Sequence, residues 1–332
     1  MNTKNIISYI ILAVFWAIIL YIRWLSWLLE FFLALAIYTF VFFAIYFLWK
    51  KLRKAEIMDF WKFINYFLNR ISIFLLITVT VLWWLAYLSN EHYPAPMPEY
   101  TLINWDKTVV FQGMSHIGSK DFYNTVAKNL LDFKKKWWVY FYEWVWMWTK
   151  ENSEKFDKAM WVKFDENLYK HFSKLYWVDN QDQRIFMWLE NDLDFNIDIN
   201  MDQIVEMYEE IPDKPEDNKV PLDISGQLME ELAGLNDKEL KILVYINQAL
   251  LNFIIWSSDT QDFLQTNFAN KKLFDVILGK RNEVLAKGII DSEYNDIYIT
   301  YWLLHFKWVL ELLKKDNSNW KIVSVKNLYP IQ

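Results

Sequence analysis

The apolar positions fall into two regimes. Within residues 1–90 they run nearly unbroken as Ile6–Ile22, Leu28–Leu48 and Ile71–Leu88, separated by Arg23, by Lys50-Lys51 and by Asn69-Arg70. Each run approaches the roughly 17–25 residues that cover a bilayer core. The pattern predicts a membrane anchor over 1–90 with transmembrane helices at about 6–22, 28–48 and 71–88. A cleaved signal peptide is the alternative for the first run, but two more spans follow and no small-residue cleavage site does. Lys50, Lys51, Arg53, Lys54 and Lys62 crowd the second connection, against Arg23 alone in the first. The positive-inside rule then keeps that connection and the N-terminus in the cytoplasm, and the third helix delivers the rest outside. The expectation is a multi-pass plasma-membrane protein with lipid around its anchor. Asp59–Arg70, carrying Phe60, Phe63, Phe67 and Leu68, predicts an interfacial helix before the last crossing.

Beyond residue 90 the pattern shortens. Pro94, Pro96 and Pro98 make 91–98 a stiff linker. The domain at 99–332 opens with an expected hairpin, Tyr100–Ile103 and Val109–Gln112. Ser119–Lys136 predicts a helix capped by Ser119, with Phe122, Val126, Leu130 and Phe133 on one face. A strand follows at Val139–Tyr142. Helices are expected at Glu151–Met160, Asp165–Tyr176 and Met201–Glu210, with a short strand at Phe195–Ile199 and a loop at Pro212–Pro221. Further helices are expected at Asp223–Ala233, Asp237–Phe253, Thr260–Phe268 and Lys272–Ile290. Strand Ile297–Tyr301, helix Val309–Lys315 and strand Ile322–Val325 close the chain. Strands alternating with helices at both ends, around a helical middle, predict one α/β or α+β domain.

Charge separates the same two regions. Eight of the 35 basic and four of the 41 acidic residues precede residue 99, which leaves a formal net charge of −10 beyond it. That balance argues against a nucleic-acid partner. The absence of cysteine excludes disulfides, thiolate metal sites and a cysteine nucleophile.

Twenty tryptophans against six glycines invert the usual proportions. Asn104-Trp105-Asp106 sits between two strand-like runs where Asn-Gly is the expected hairpin dipeptide. Asn319-Trp320-Lys321 repeats the pattern, and Trp24 and Trp27 occupy a turn between membrane helices. Trp144, Trp146 and Trp148 alternate between a strand and a helix start. These placements suggest that many tryptophans are glycines encoded by a reassigned UGA codon. A protein rich in interfacial tryptophan is the alternative, and it accounts well for Trp83 and Trp84.

Of four histidines, His92 lies in the linker and His171 among lysines on a helix. His116 follows a strand in Gly113-Met114-Ser115-His116. His305 follows another in Trp302-Leu303-Leu304-His305, which becomes Gly-x-x-His if Trp302 is a glycine. Glu143 ends a third strand. Strand ends are where open α/β sheets place their chemistry. Two imidazoles and a carboxylate suit a divalent metal ion, or acid/base work.

These segments resemble a family. Val110–Gly118 (Val-Phe-Gln-Gly-Met-Ser-His-Ile-Gly), Tyr140–Glu143 (Tyr-Phe-Tyr-Glu) and Trp302–Trp308 (Trp-Leu-Leu-His-Phe-Lys-Trp), together with Arg281-Asn282, are similar to the TraB/PrgY/Tiki superfamily over residues 105–325. The resemblance implies a duplicated α/β core in which two Gly-x-x-His segments meet a glutamate. It also implies a membrane-tethered, metal-dependent peptidase, or a protein that limits peptide-pheromone activity. His116 and His305 would be metal ligands or catalytic groups, Glu143 a ligand or general base, and Arg281 would orient a carboxylate or polarise a carbonyl. Gly113 and Trp302 hold the motif glycine positions; Trp302, Trp308 and Trp144 depart from the pattern.

Other motifs are weaker. Gly113–Lys120 nearly matches a phosphate loop, but Ser119-Lys120 reverses the required pair. Ser115 lacks the second glycine of a nucleophile elbow. No His-Glu-x-x-His occurs, and the acidic run Glu190–Asp194 is better read as a solvated loop than a calcium site. The expected function is a divalent-metal-dependent hydrolase acting on extracytoplasmic peptides. Alternatives are a module of the same fold that sequesters a peptide or ligand, and an assembly subunit whose membrane helices carry the function.

Overall fold

A computed structural model describes residues 3–22, 25–144, 149–163, 168–176, 179–180, 193–212, 220–257 and 270–331. Trp24, Trp146 and Trp148, the expected helix Thr260–Phe268 and most of the loop Pro212–Pro221 lie outside them, as does most of the acidic run Glu190–Asp194. The chain divides into two units: Met1–Leu88 with Leu235–Ile246, and Ser89–Gly234 with Asn247–Gln332.

The first unit is helical: α1 (Thr3–Ile22), α2 (Leu25–Leu52) and α3 (Phe60–Tyr87). Asp59 caps α3, its carboxylate accepting the backbone N–H groups of Trp61 and Lys62. The separate interfacial helix expected at Asp59–Arg70 is instead the first part of α3. Asn69 and Arg70 do not end it, because neither removes a backbone donor as proline would. Phe43 packs edge-on against Phe60 and Phe63 across α2 and α3.

By length and composition, three described stretches are apolar enough to cross a membrane: Leu33–Leu52, Phe60–His92 and Asp237–Trp256. The first two match the second and third expected crossings. Asp237–Trp256 was expected only as a helix of the soluble part. A single crossing there would put the strands before and after it on opposite sides of a bilayer, yet those strands pair in one sheet. Within the first unit Lys238 Nζ donates to the Tyr21 carbonyl and lies 3.6 Å from the Tyr21 ring centroid.

The second unit is built on a six-stranded mixed sheet. Its strands are β1 (Met97–Ile103), β2 (Thr108–Met114), β4 (Val139–Tyr142), β6 (Asp194–Asn196), β7 (Asp296–Trp302) and β8 (Lys321–Leu328). The order is β6-β4-β7-β2-β1-β8. β6, β4, β7 and β2 are parallel, while β1 runs antiparallel to β2 and β8. Two short strands, β3 (Ile117–Gly118) and β5 (Asp179–Asn180), pair separately. The stretch expected as a linker enters this unit: Ala95 is fully buried, its N–H donates to Asn252 Oδ1, and Met97 and Pro98 begin β1.

Period-two alternation sends the strand side chains to two faces. Val109, Phe111, Phe141, Ile297 and Ile299 meet α10 (Lys271–Asp291) and α11 (Phe306–Asp316) through Leu285, Ile289, Val309 and Leu313. Val110, Met114, Tyr140 and Tyr298 meet α4 (Lys120–Lys134) through Phe122, Val126 and Leu130. The central parallel strands are covered on both sides, hence their continuous apolar sequence. A smaller core joins α5 (Lys150–Met160), α7 (Met201–Glu209) and the start of α10. The helical middle also contains α6 (Leu168–Tyr176), α8 (Ile224–Ala233) and the second half of α9 (Asp237–Trp256), whose first half belongs to the first unit.

Backbone geometry bears on the tryptophans. Among the described residues, the non-glycine residues with positive φ are Lys54, Trp137 and Trp161, and no glycine is in that region. Trp161 caps α5 in the left-handed conformation, and Trp137 follows the last turn of α4, 83% exposed. Glycine is the usual residue at such helix ends, since a Cβ clashes there. Trp320 behaves otherwise: its indole is buried in the main core, a packing role that the glycine reading leaves unexplained.

Candidate functional site

The parallel strands end at one edge of the sheet, and the polar side chains stand at or just beyond their carboxyl ends. β2 stops at Met114 and His116 follows two residues later; Tyr123 of α4 donates its hydroxyl to the Ser115 carbonyl and fixes that turn. Glu143 follows β4 directly, its N–H donating to the Thr300 carbonyl of β7. β7 ends at Trp302, and a single 3-10 turn brings His305 to the start of α11. Asp198 stands two residues beyond β6. Gly113 is needed for close approach: a Cβ there would lie 2.9 Å from Leu303 Cδ1 and 3.2 Å from the Pro98 carbonyl oxygen.

Glu143 is held on both oxygens. Arg281 Nη2, from α10, donates to Oε1, and the Trp302 backbone N–H donates to Oε2 at 2.5 Å. Arg281 also grips Asp198, Nε to Oδ1 at 2.7 Å and Nη2 to Oδ2 at 2.8 Å. Tyr301 donates its hydroxyl to Asp198 Oδ1 at 3.0 Å. Arg281 and Asp198 are buried, so each compensates the other's desolvation. Of the two roles implied for Arg281, this geometry supports orienting a carboxylate, and the carboxylates are the protein's own.

His305 is fully buried. Its Nδ1 lies 2.7 Å from Asn282 Oδ1, and the Tyr301 ring meets it edge-on at 4.9 Å. With an amide oxygen as acceptor, Nδ1 carries the proton and Nε2 the lone pair. Nε2 is buried with no hydrogen-bond partner among the described residues. The Trp302 indole lies against both imidazoles, its ring centroid 5.5 Å from His116 and 6.1 Å from His305.

The ionisation of these groups is linked. Burial alone would raise the Glu143 carboxyl, but Arg281, the two imidazoles and the Trp302 N–H together hold it at about 2. Burial pushes His305 down to about 3, with Glu143 pulling upward and Arg281 and His116 adding to the fall. His116 is lowered by burial first, Glu143 again opposing and Arg281 reinforcing. Burial lifts the Asp198 carboxyl against the pull of Arg281. The imidazoles are therefore neutral near neutrality, beside a carboxylate that stays charged.

The structure thus brings His116, Glu143, Arg281, His305 and Trp302 to one sheet edge. His92 and His171 are elsewhere in the chain; His171 Nδ1 lies 2.7 Å from Ser225 Oγ. Asp198 and Tyr301 belong to the cluster and were not anticipated. The expected strand Phe195–Ile199 hid Asp198, because a longer β6 would have contained it. In Phe195-Asn196-Ile197-Asp198-Ile199 the alternation puts Asp198 on the same polar face as Asn196, so no local signal sets it apart.

A divalent ion finds some of what it needs. His305 presents a bare Nε2 with its other nitrogen anchored, the arrangement typical of a ligating imidazole. Glu143 is anionic and retains lone pairs beside its two hydrogen bonds. Among the described residues, however, no three His, Asp or Glu side chains are already gathered around a common point. Comparison of the chain with protein-family models, curated proteins and solved structures finds no match.

Proposed function

We propose that this protein is a membrane-tethered hydrolase of the TraB/PrgY/Tiki kind, acting on extracytoplasmic peptides through His116, Glu143 and His305. The reading rests on one observation: His116 and His305, the latter with an unpartnered Nε2, share the carboxyl edge of a parallel sheet with Glu143, whose two oxygens accept from Arg281 and from the Trp302 N–H. The two motif strands, β2 and β7, are adjacent and parallel in that sheet, as a duplicated core requires.

Each side chain has a distinct part. Arg281 fixes Glu143 as an anion, and its own orientation comes from Asp198. At about 2, Glu143 is a poor proton acceptor near neutrality and serves better as a negative anchor. Asn282 turns the His305 lone pair away from itself. His116, less buried than His305, is the better placed of the two imidazoles to take an attacking water's proton. A divalent ion held by His305 Nε2, Glu143 and His116 would supply Lewis acidity and a more acidic water. The lysine-rich second connection favours a cytoplasmic N-terminus, with the α/β unit outside.

Metal content of the full chain purified in detergent tests this reading. It predicts one divalent ion per chain, lost in His305→Ala. Retention in His116→Ala with loss of turnover would make His116 the proton acceptor rather than a ligand. A chain that binds no divalent ion removes the metal from the account. The scattered ligand set among the described residues favours a second reading, a module that sequesters a peptide without cleaving it. That module would keep depleting peptide after both histidines are replaced.

A further inference from the structure

We propose that residue 302 is the door of this site: the Trp302 indole fills the space facing His116 and His305 that a ligand would take, and glycine at 302 opens it. The inference rests on the hydrolase reading for what the ligand is, but not for the door itself.

Three observations carry it. The indole centroid is 5.5 Å from one imidazole and 6.1 Å from the other, so a single side chain lies against both. Second, its contribution to the cluster's hydrogen bonding is a backbone one, the N–H to Glu143, which glycine would retain. Its backbone, at φ −55° and ψ 132°, is open to any residue, so truncation asks for no rearrangement of the chain. Third, Trp137 and Trp161 adopt positive φ, where glycine belongs, while no described glycine does. Tryptophan therefore stands in glycine-like places elsewhere in this chain, and Trp302 precedes His305 by the same interval as Gly113 precedes His116. His305 keeps a buried Nε2 with no hydrogen-bond partner among the described residues, an atom free to bond a ligand.

The test uses the full chain in detergent, as the parent and as Trp302→Gly, Trp302→Ala, Trp302→Phe and Trp308→Gly; Trp308 is an exposed control. Histidine acylation by diethyl pyrocarbonate, mapped by peptide mass, reports access to His305. Zinc ion alone, followed by calorimetric titration, reports binding. An at least tenfold faster modification of His305 in Trp302→Gly, an intermediate gain in Trp302→Ala, and parental rates in Trp302→Phe and Trp308→Gly support the door. At least tenfold tighter zinc binding in Trp302→Gly supports both the door and the metal. Faster modification without tighter zinc binding keeps the door and counts against the metal-dependent reading. Parental modification rates in both Trp302→Gly and Trp302→Ala overturn the door, whatever zinc does.

Discussion

The backbone N–H of Trp302 donates to Oε2 of Glu143 at 2.5 Å, tying the end of β7 to the end of β4. One carboxylate thereby joins the segment leading to His305 to the strand beside it, while Arg281 fixes its other oxygen from α10. The cluster behaves as a unit because removing this acid leaves two donors facing a cavity.

Replacing that acid is accordingly costly. Glu143→Ala leaves the buried guanidinium still paired with Asp198, so the loss comes from the donors of Arg281 and Trp302 left without their acceptor, about 1–3 kcal/mol. Glu143→Gln keeps an acceptor for the Trp302 N–H and is expected to lose less. Denaturant unfolding of the full chain in detergent measures both. A Glu143→Ala chain within about 0.5 kcal/mol of the parent would show that the contact contributes nothing to the fold.

Acid should loosen this unit from the histidine side first. His305 titrates at about 3 in the folded chain against an ordinary 6.5. A depressed histidine binds fewer protons folded than unfolded, so its contribution is complete above about 6.5 and erodes as pH falls towards 3. The slope is about 1.4 kcal/mol per pH unit for one proton. Glu143, at about 2 against 4.5, acts in the same direction from pH 4.5 downwards, whereas Asp198, raised by burial, opposes it. Unfolding measured from pH 7 to pH 5 should show the loss, and His305→Asn should flatten it. An unchanged slope in that variant would assign the acid sensitivity to another group.

Gly113→Ala is predicted to destabilise the chain by about 1–3 kcal/mol, the usual penalty for overpacking. The new methyl would meet the Leu303 side chain at 2.9 Å and, at 3.2 Å, a backbone oxygen of Pro98 that cannot turn aside. Gly279→Ala, where nothing lies within 4 Å, is the control and should be neutral or slightly stabilising. Equal melting temperatures for the two variants would contradict this account of Gly113.

The codons at Trp137 and Trp161, the two tryptophans in the left-handed region, should read UGA, and peptides from the protein made in its own cells should carry glycine there. Trp320, buried in the core, is the position at which UGG is now expected. UGG at Trp137 and Trp161 would mean that tryptophan itself occupies the left-handed region twice.

Much of the fold was legible because its signals are local. Residue type and position mark Ser119 as a cap, and alternation and apolar runs mark the hairpin and the central strands. Asn69-Arg70 misled, since polar residues interrupt hydropathy without interrupting a helix, and α3 runs straight through them. His116, Glu143 and His305 were legible as strand-end residues. Asp198 was not, because its role depends on where β6 stops and on a guanidinium 83 residues away. The side of the sheet on which Arg281 would arrive is set by the packing of α10, which no local pattern encodes.

The central claim is that His305 acts on a ligand rather than merely filling the core. Hydrolysis of an unbiased peptide library by the full chain in detergent, compared between His305→Ala and His171→Ala, tests it most directly. The account predicts cleavage that falls at least a hundredfold in His305→Ala and is unchanged in His171→Ala. Cleavage that persists in His305→Ala would contradict it.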